Sequence, residues 1–204
     1  MSSFTLDKNK ILDASRIVFA RHGFRKASLA DIVRPLGVAK TALYHYFPGG
    51  KRELIKAVIQ READMILCEM RCAIDKEQDP RYRLRALIVS KLTYFHQLRE
   101  LFEISQDVGD EIAQLYYTNE KAYHEAEQDL ILEILMNGCE AGYFSIADPR
   151  ATALSIRVLL HHFERSFVFE KNRDEMEKTV DDLLNILFYG IINHQTLSLK
   201  RGNF

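Results

Sequence analysis

The stretch Leu36-Gly37-Val38-Ala39-Lys40-Thr41-Ala42-Leu43-Tyr44-His45-Tyr46-Phe47, with Ser28-Leu29-Ala30-Asp31-Ile32-Val33 ahead of it, reads as two short helices joined by a tight turn. Ser28 followed three residues later by Asp31 makes a capping-box start, in which the serine oxygen accepts an orphan backbone N–H and the carboxylate favours the positive helix end. Gly37 supplies the positive φ that lets two helices cross steeply, and the second helix opens near Lys40. It carries Lys40, Thr41, Tyr44, His45 and Tyr46 outward, the polar and aromatic side chains a groove-reading helix needs. Leu43 and Phe47, four apart, turn toward the core.

Gly37 to Phe47, followed by Lys51 and Leu54, resembles the DNA-binding signature of the tetracycline-repressor (TetR) family in order, spacing and residue type. Ile11 to Phe24 resembles that family's first helix. The resemblance implies an all-helical protein with a helix-turn-helix DNA-binding head at residues 1–50 and a ligand-binding and dimerisation domain at residues 51–204. The candidate DNA contacts are Ser28, Lys40, Thr41, Tyr44, His45, Tyr46 and Lys51, the last assigned to phosphate by its charge at the start of the fourth helix. Ala27 stands where the family usually has threonine, Ala39 where it usually has serine, and Pro35 lies inside the second helix. The two alanines lack hydroxyls that would touch phosphate or cap a helix, while a proline near a helix end costs only one local hydrogen bond.

Charge is distributed unevenly around this segment. The chain of 204 residues has a net charge of −1, yet residues 1–60 hold 11 Lys and Arg against 4 Asp and Glu, and the remainder 17 against 25. A basic head on an acidic body suits contact with a phosphate backbone, although a basic segment can equally be a solvated face. The first residues lack the apolar run of a secretory signal and no stretch approaches a membrane span, so a cytoplasmic protein without membrane partners is expected. The three cysteines, Cys68, Cys72 and Cys139, lack zinc-finger spacing. Cys68 and Cys72 read as ordinary packed thiols in a reducing compartment.

Apolar residues recur at helical spacing to the end of the chain, which predicts about nine helices over 7–22, 29–36, 40–46, 51–76, 80–98, 101–106, 110–141, 149–170 and 174–196. Asp79-Pro80 and Asp148-Pro149 mark two starts, and Gly138 and Gly142 flank a stop. In the fifth helix the stripe Leu84, Leu87, Ile88, Lys91, Leu92, Phe95 and Leu98 is interrupted by one lysine. That charge fits an acidic ligand headgroup, or else it snorkels or pairs with a nearby glutamate. The candidate effector pocket comprises Met65, Cys68, Ile88, Lys91, Phe95, Phe102, Tyr116, Tyr123, Leu135, His162 and Phe163, residues that would serve equally as solid core.

No diagnostic metal-ligand spacing, phosphate loop or nucleophile elbow is present, so neither an enzyme nor a metal or other cofactor is expected. The last two helices carry broad apolar stripes, which suggests that two copies pair; the family resemblance implies a four-helix dimer bundle. Leu154, Val158, Phe167, Val180, Leu184, Leu187, Phe188 and Ile191 are the interface candidates. The sequence reading is a homodimeric repressor released from a palindromic double-stranded DNA operator by a small hydrophobic or anionic amphiphilic effector. The alternative is a helical small-molecule or metal carrier with a vestigial head.

Overall fold

The computed structural model describes residues 7–108, 110, 111, 114, 121–170 and 173–189, and every regular element among them is helical. The labelled helices are α1 (Lys8–Lys26), α2 (Leu29–Val33), α3 (Lys40–Tyr46), α4 (Gly50–Ile74), α5 (Pro80–Phe102), α6 (Lys121–Glu140), α7 (Pro149–Glu170) and α8 (Arg173–Tyr189). Residues 106–108, 110, 111 and 114 are also helical and lie between α5 and α6.

Local chemistry accounts for the boundaries. Asp7 caps α1 by accepting the Lys10 N–H at 2.8 Å, and Asp79 caps α5 by accepting the Arg81 N–H at 2.8 Å, with Pro80 at the first helical position. Asp148 serves α7 in the same way through the Ala151 N–H at 3.0 Å. Several expected boundaries move. α1 runs past 22 to Lys26 across a kink at Gly23, and the separate helix expected over 101–106 does not form, since Leu101 and Phe102 end α5 and residues 103–105 are not helical. α2 ends at Val33 and not at 36, because Pro35 has no N–H to extend the ladder and residues 34–37 form turns. α5 runs on through 98 to Phe102, and Glu103 in the left-handed region, φ 50, stops it.

One apolar cluster runs from Ile11 in the head to Leu184 in α8, with Phe19, Leu43, Phe47, Leu54, Ile66, Leu84, Leu87 and Ile131 among its buried members. α4 joins head and body within it. Its Arg61 pairs with Asp13 of α1 at 2.8 Å, and its Glu62 meets Arg16 of α1 at 2.9 Å while accepting the Tyr94 hydroxyl of α5 at 3.0 Å. Burial, and then the Glu62 carboxylate, push the Tyr94 phenol above its ordinary value, so it remains a donor to Glu62. On the far side Arg85 of α5 reaches Asp181 of α8 at 3.0 Å.

Candidate nucleic-acid interface and body interior

The head is built from the caps upward. Ser28 Oγ accepts the Asp31 N–H at 3.3 Å, and the Asp31 carboxylate in return accepts the Ser28 N–H at 3.2 Å and the Ser28 hydroxyl at 2.6 Å. These Ser28 hydrogen bonds are the main cause holding the Asp31 carboxyl below its ordinary value. The Ser28 hydroxyl proton is therefore spent inside the head, and its clearest role is to start α2. Gly37 takes φ +66 in the turn, and α3 then opens at Lys40. Ala39 at its N-cap position makes no side-chain cap, as the missing serine hydroxyl implied.

Helix α3 is fixed from below and open above. Leu43 and Phe47 are fully buried, while Lys40, Thr41, Tyr44 and His45 are exposed, Tyr44 at 47%. Tyr46 departs from the expectation of an outward residue: it is half-buried, packs against the core and meets the His45 ring edge-on at 5.4 Å. The Tyr44 ring lies over Gly50, where a Cβ would come within 3.1 Å of it, so glycine at the start of α4 makes room for the aromatic group. Lys51 is half-buried, and its ammonium donates to the Arg25 carbonyl at 3.1 Å, tying α4 to the end of α1. An ammonium has three donors, so this bond leaves others to reach a phosphate.

In the body, Ile88, Leu135 and Tyr123 are buried and Phe95 is half-buried. Met65 and Cys68 are exposed on α4, which overturns their place in an interior pocket: the apolar residues that turn α4 inward are Ile66 and Met70. Lys91 neither snorkels nor stands free. It is 3% exposed, bonded to Glu127 of α6, itself 1% exposed, and its ammonium sits 5.6 Å from the Tyr123 ring centre. The charge that the sequence offered to an anionic ligand is already matched by a carboxylate of the same chain. Tyr116 lies outside the described residues, as do the side chains of Phe102, His162 and Phe163.

The dimer candidates divide into two groups. Leu154, Val158 and Leu187 are exposed, along with Leu159 and Ile186, as apolar residues on α7 and α8. Val180 and Leu184 are buried within the chain, at 2% and 4% exposure, so their stripe serves the monomer's core and not a partner. Phe188 is half-buried and stacks on Phe144 with ring centres 5.8 Å apart. That stack depends on Gly138, where a Cβ would come within 2.2 Å of the Phe144 ring. Ile191 lies outside the described residues, as does the Phe167 side chain. Leu159 belongs to the stripe that the sequence marked on this helix, whereas Ile186, beside Leu187, was missed.

Among the described residues no three His, Cys, Asp or Glu side chains converge as a metal site, and no helix is long and apolar enough to cross a membrane.

Residues 11–58 match the family described as bacterial regulatory proteins, tetR family. The transcriptional activator FasR of Mycolicibacterium smegmatis is 36% identical over 81 residues, 40% of this chain and 36% of its own length. The transcriptional regulator YfiR of Bacillus subtilis is 28% identical over 156 residues, 70% of each chain. The first two curated relatives are thus matched over half their length or less, 36% and 50%. The structure of the regulator FadR of Bacillus subtilis in complex with stearoyl-CoA superposes with a TM-score of 0.70 at 17% identity, over 91% of this chain and all of that one. A putative transcriptional regulator of Pseudomonas aeruginosa superposes with a TM-score of 0.69 at 20% identity, over 93% of this chain and 96% of its own. The head, residues 11–58, thus matches the DNA-binding segment of the tetR family of bacterial regulatory proteins, and the chain as a whole has the fold of solved regulators of that family.

Proposed function

We propose that this protein is a homodimeric, ligand-responsive transcription regulator that represses from a palindromic operator and is released by a small, mainly hydrophobic effector. One observation carries the DNA-binding part: α3 holds Lys40, Thr41, Tyr44 and His45 exposed above a buried Leu43 and Phe47, within residues 1–60, where positive charge is concentrated. Such a helix can enter a major groove while basic side chains around it neutralise phosphates. One head reads few base pairs, so duplication through the exposed Leu154, Val158 and Leu187 would match two half-sites and multiply affinity.

The effector is argued from the body's apolar interior, Ile88, Leu92, Ile131 and Leu135, and from the stearoyl-CoA bound by a protein of the same fold. An anionic headgroup cannot take Lys91 without displacing Glu127, so hydrophobic contact is the larger part of recognition. Effector and DNA would then weaken one another's binding by favouring different head positions. The relative FasR is an activator, and the sign of regulation follows from where the operator lies relative to the promoter. Selection of genomic fragments on the purified protein, followed by release with fatty acyl conjugates, tests the whole reading; failure to enrich any duplex would overturn it.

A further inference from the structure

Cys68 and Cys72 are both exposed on α4, where an apolar reading would pack them away. Met65, 40% exposed, stands three residues before Cys68. Positions 65, 68 and 72 fall on one arc of a helix, so three sulfur atoms share a single solvent-facing stripe. Cys68 and Cys72, four apart on α4, are neighbours on the same face of the helix. Nothing in the core explains these residues, because Ile66 and Met70 already supply the inward face of the same turns.

Helix geometry decides what the pair can do. A disulfide needs Cβ atoms about 3.5–4.5 Å apart, whereas a helix holds residues four apart at about 5–6 Å. Direct oxidation of the pair would therefore unwind α4. A bridging ion with sulfur bonds of about 2.3 Å lengthens the link and fits the helix as it stands. Thiolate and thioether donors select soft ions. Borderline and hard ions want more donors than the stripe offers, and among the described residues no group of three His, Cys, Asp or Glu side chains supplies them.

We propose that Met65, Cys68 and Cys72 form a binding site for a soft, thiophilic metal ion, Cu(I) being the fitting example, on the exposed face of α4. Binding replaces the proton of each thiol by a metal–sulfur bond and releases two protons, with no change of oxidation state; Met65 adds its thioether as a neutral third donor. Glu69 lies in the same arc and its negative charge favours a cation there. The site is independent of the effector reading.

The test is anaerobic titration of the reduced full-length protein with Cu(I) buffered by bathocuproine disulfonate, with Zn(II) titrated separately. The expected result is one tight Cu(I) per chain that persists in Cys139→Ser, weakens by roughly 100-fold or more in Cys68→Ser and Cys72→Ser, and weakens less in Met65→Leu. All of these positions but Cys139 are exposed, and far-UV circular dichroism confirms that each variant is folded. Tight Cu(I) binding retained in the Cys68→Ser/Cys72→Ser double variant, lost in Cys139→Ser, or saturating at half an equivalent per chain would overturn the site. Equally tight uptake of Zn(II) would overturn its soft character, and unchanged affinity in Met65→Leu would overturn the thioether's part.

Discussion

Glu111 accepts the backbone N–H of Arg25 at 2.8 Å across 86 positions of sequence, joining the helical stretch after α5 to the end of α1. Two residues before Arg25 the backbone of α1 breaks at Gly23, φ 72 and ψ 167, a region that essentially glycine alone occupies. A Cβ at Gly23 would come within 2.7 Å of Glu111 Oε2 and 3.5 Å of Val108. Kink and carboxylate thus form one joint between head and body. Gly23→Ala should destabilise the protein by about 1–3 kcal/mol in urea unfolding. Glu111→Ala removes the clash but not the dihedral strain, so the double variant should stay less stable than Glu111→Ala alone; equal stability would mean that the strain is absent. The Arg25 amide should also exchange faster with solvent in Glu111→Ala.

The recognition helix makes a second prediction. Tyr44→Ala should lower operator affinity by roughly tenfold, the scale of a single contact of about 1–2 kcal/mol. Lys40→Ala should weaken binding to all sequences alike and reduce the salt slope by about 1. Both side chains are exposed, so thermal stability should be nearly unchanged. Normal affinity in both variants would remove α3 from the interface.

Dimerisation is predicted to depend on Leu154, Val158 and Leu187, which are exposed in the single chain, and not on Leu184, which is buried. Glutamate at Leu154 and Val158 together should yield folded monomers by sedimentation, with weakened operator binding. Leu184→Glu should instead unfold the body, because an unpaired charge enters the core. A monomeric parent at micromolar concentration would contradict the half-site account.

The buried pair of Lys91 and Glu127 predicts a large effect from a conservative change. Lys91→Met leaves an unmatched carboxylate at 1% exposure, and breaking such a pair costs about 3–5 kcal/mol. Lys91→Met/Glu127→Leu removes both charges and should recover most of that loss, read as the urea midpoint. A freely tolerated Lys91→Met would show the lysine to be without its partner.

Arg71 donates to both Glu133 oxygens at 2.9 Å, and that hydrogen bonding is the main cause holding the Glu133 carboxyl below its ordinary value of 4.5. A depressed folded value contributes stability that is present above the unfolded value and is lost as pH falls through the folded one. The pair is about half exposed, so its worth is at most about 1 kcal/mol. Parent minus Glu133→Gln stability should be positive at pH 6 and shrink as pH falls below 4.5.

Local signals were the most legible part of the sequence. Ser28 with Asp31, Gly37, Asp79-Pro80 and Asp148-Pro149 each act through neighbours along the chain, and the structure has every one of them where spacing placed it. What spacing could not give is which long-range partner a stripe meets. The α8 stripe does not say that Val180 and Leu184 pack inward while Leu187 remains open, since all lie within one broad apolar arc. Lys91 was legible as an anomaly, but Glu127 is 36 residues away on another helix. The Glu111 joint left no local trace beyond Gly23, whose neighbours resemble the end of an ordinary helix.

The central claim is that α3 and its basic surroundings hold a palindromic duplex as a dimer. Fluorescence anisotropy of a selected operator, titrated at several salt concentrations, tests it most directly. The account predicts two chains per operator and a logarithmic affinity that falls linearly with the logarithm of salt concentration, with a slope of several units. Binding that is absent from every duplex, or that does not change with salt, would contradict it.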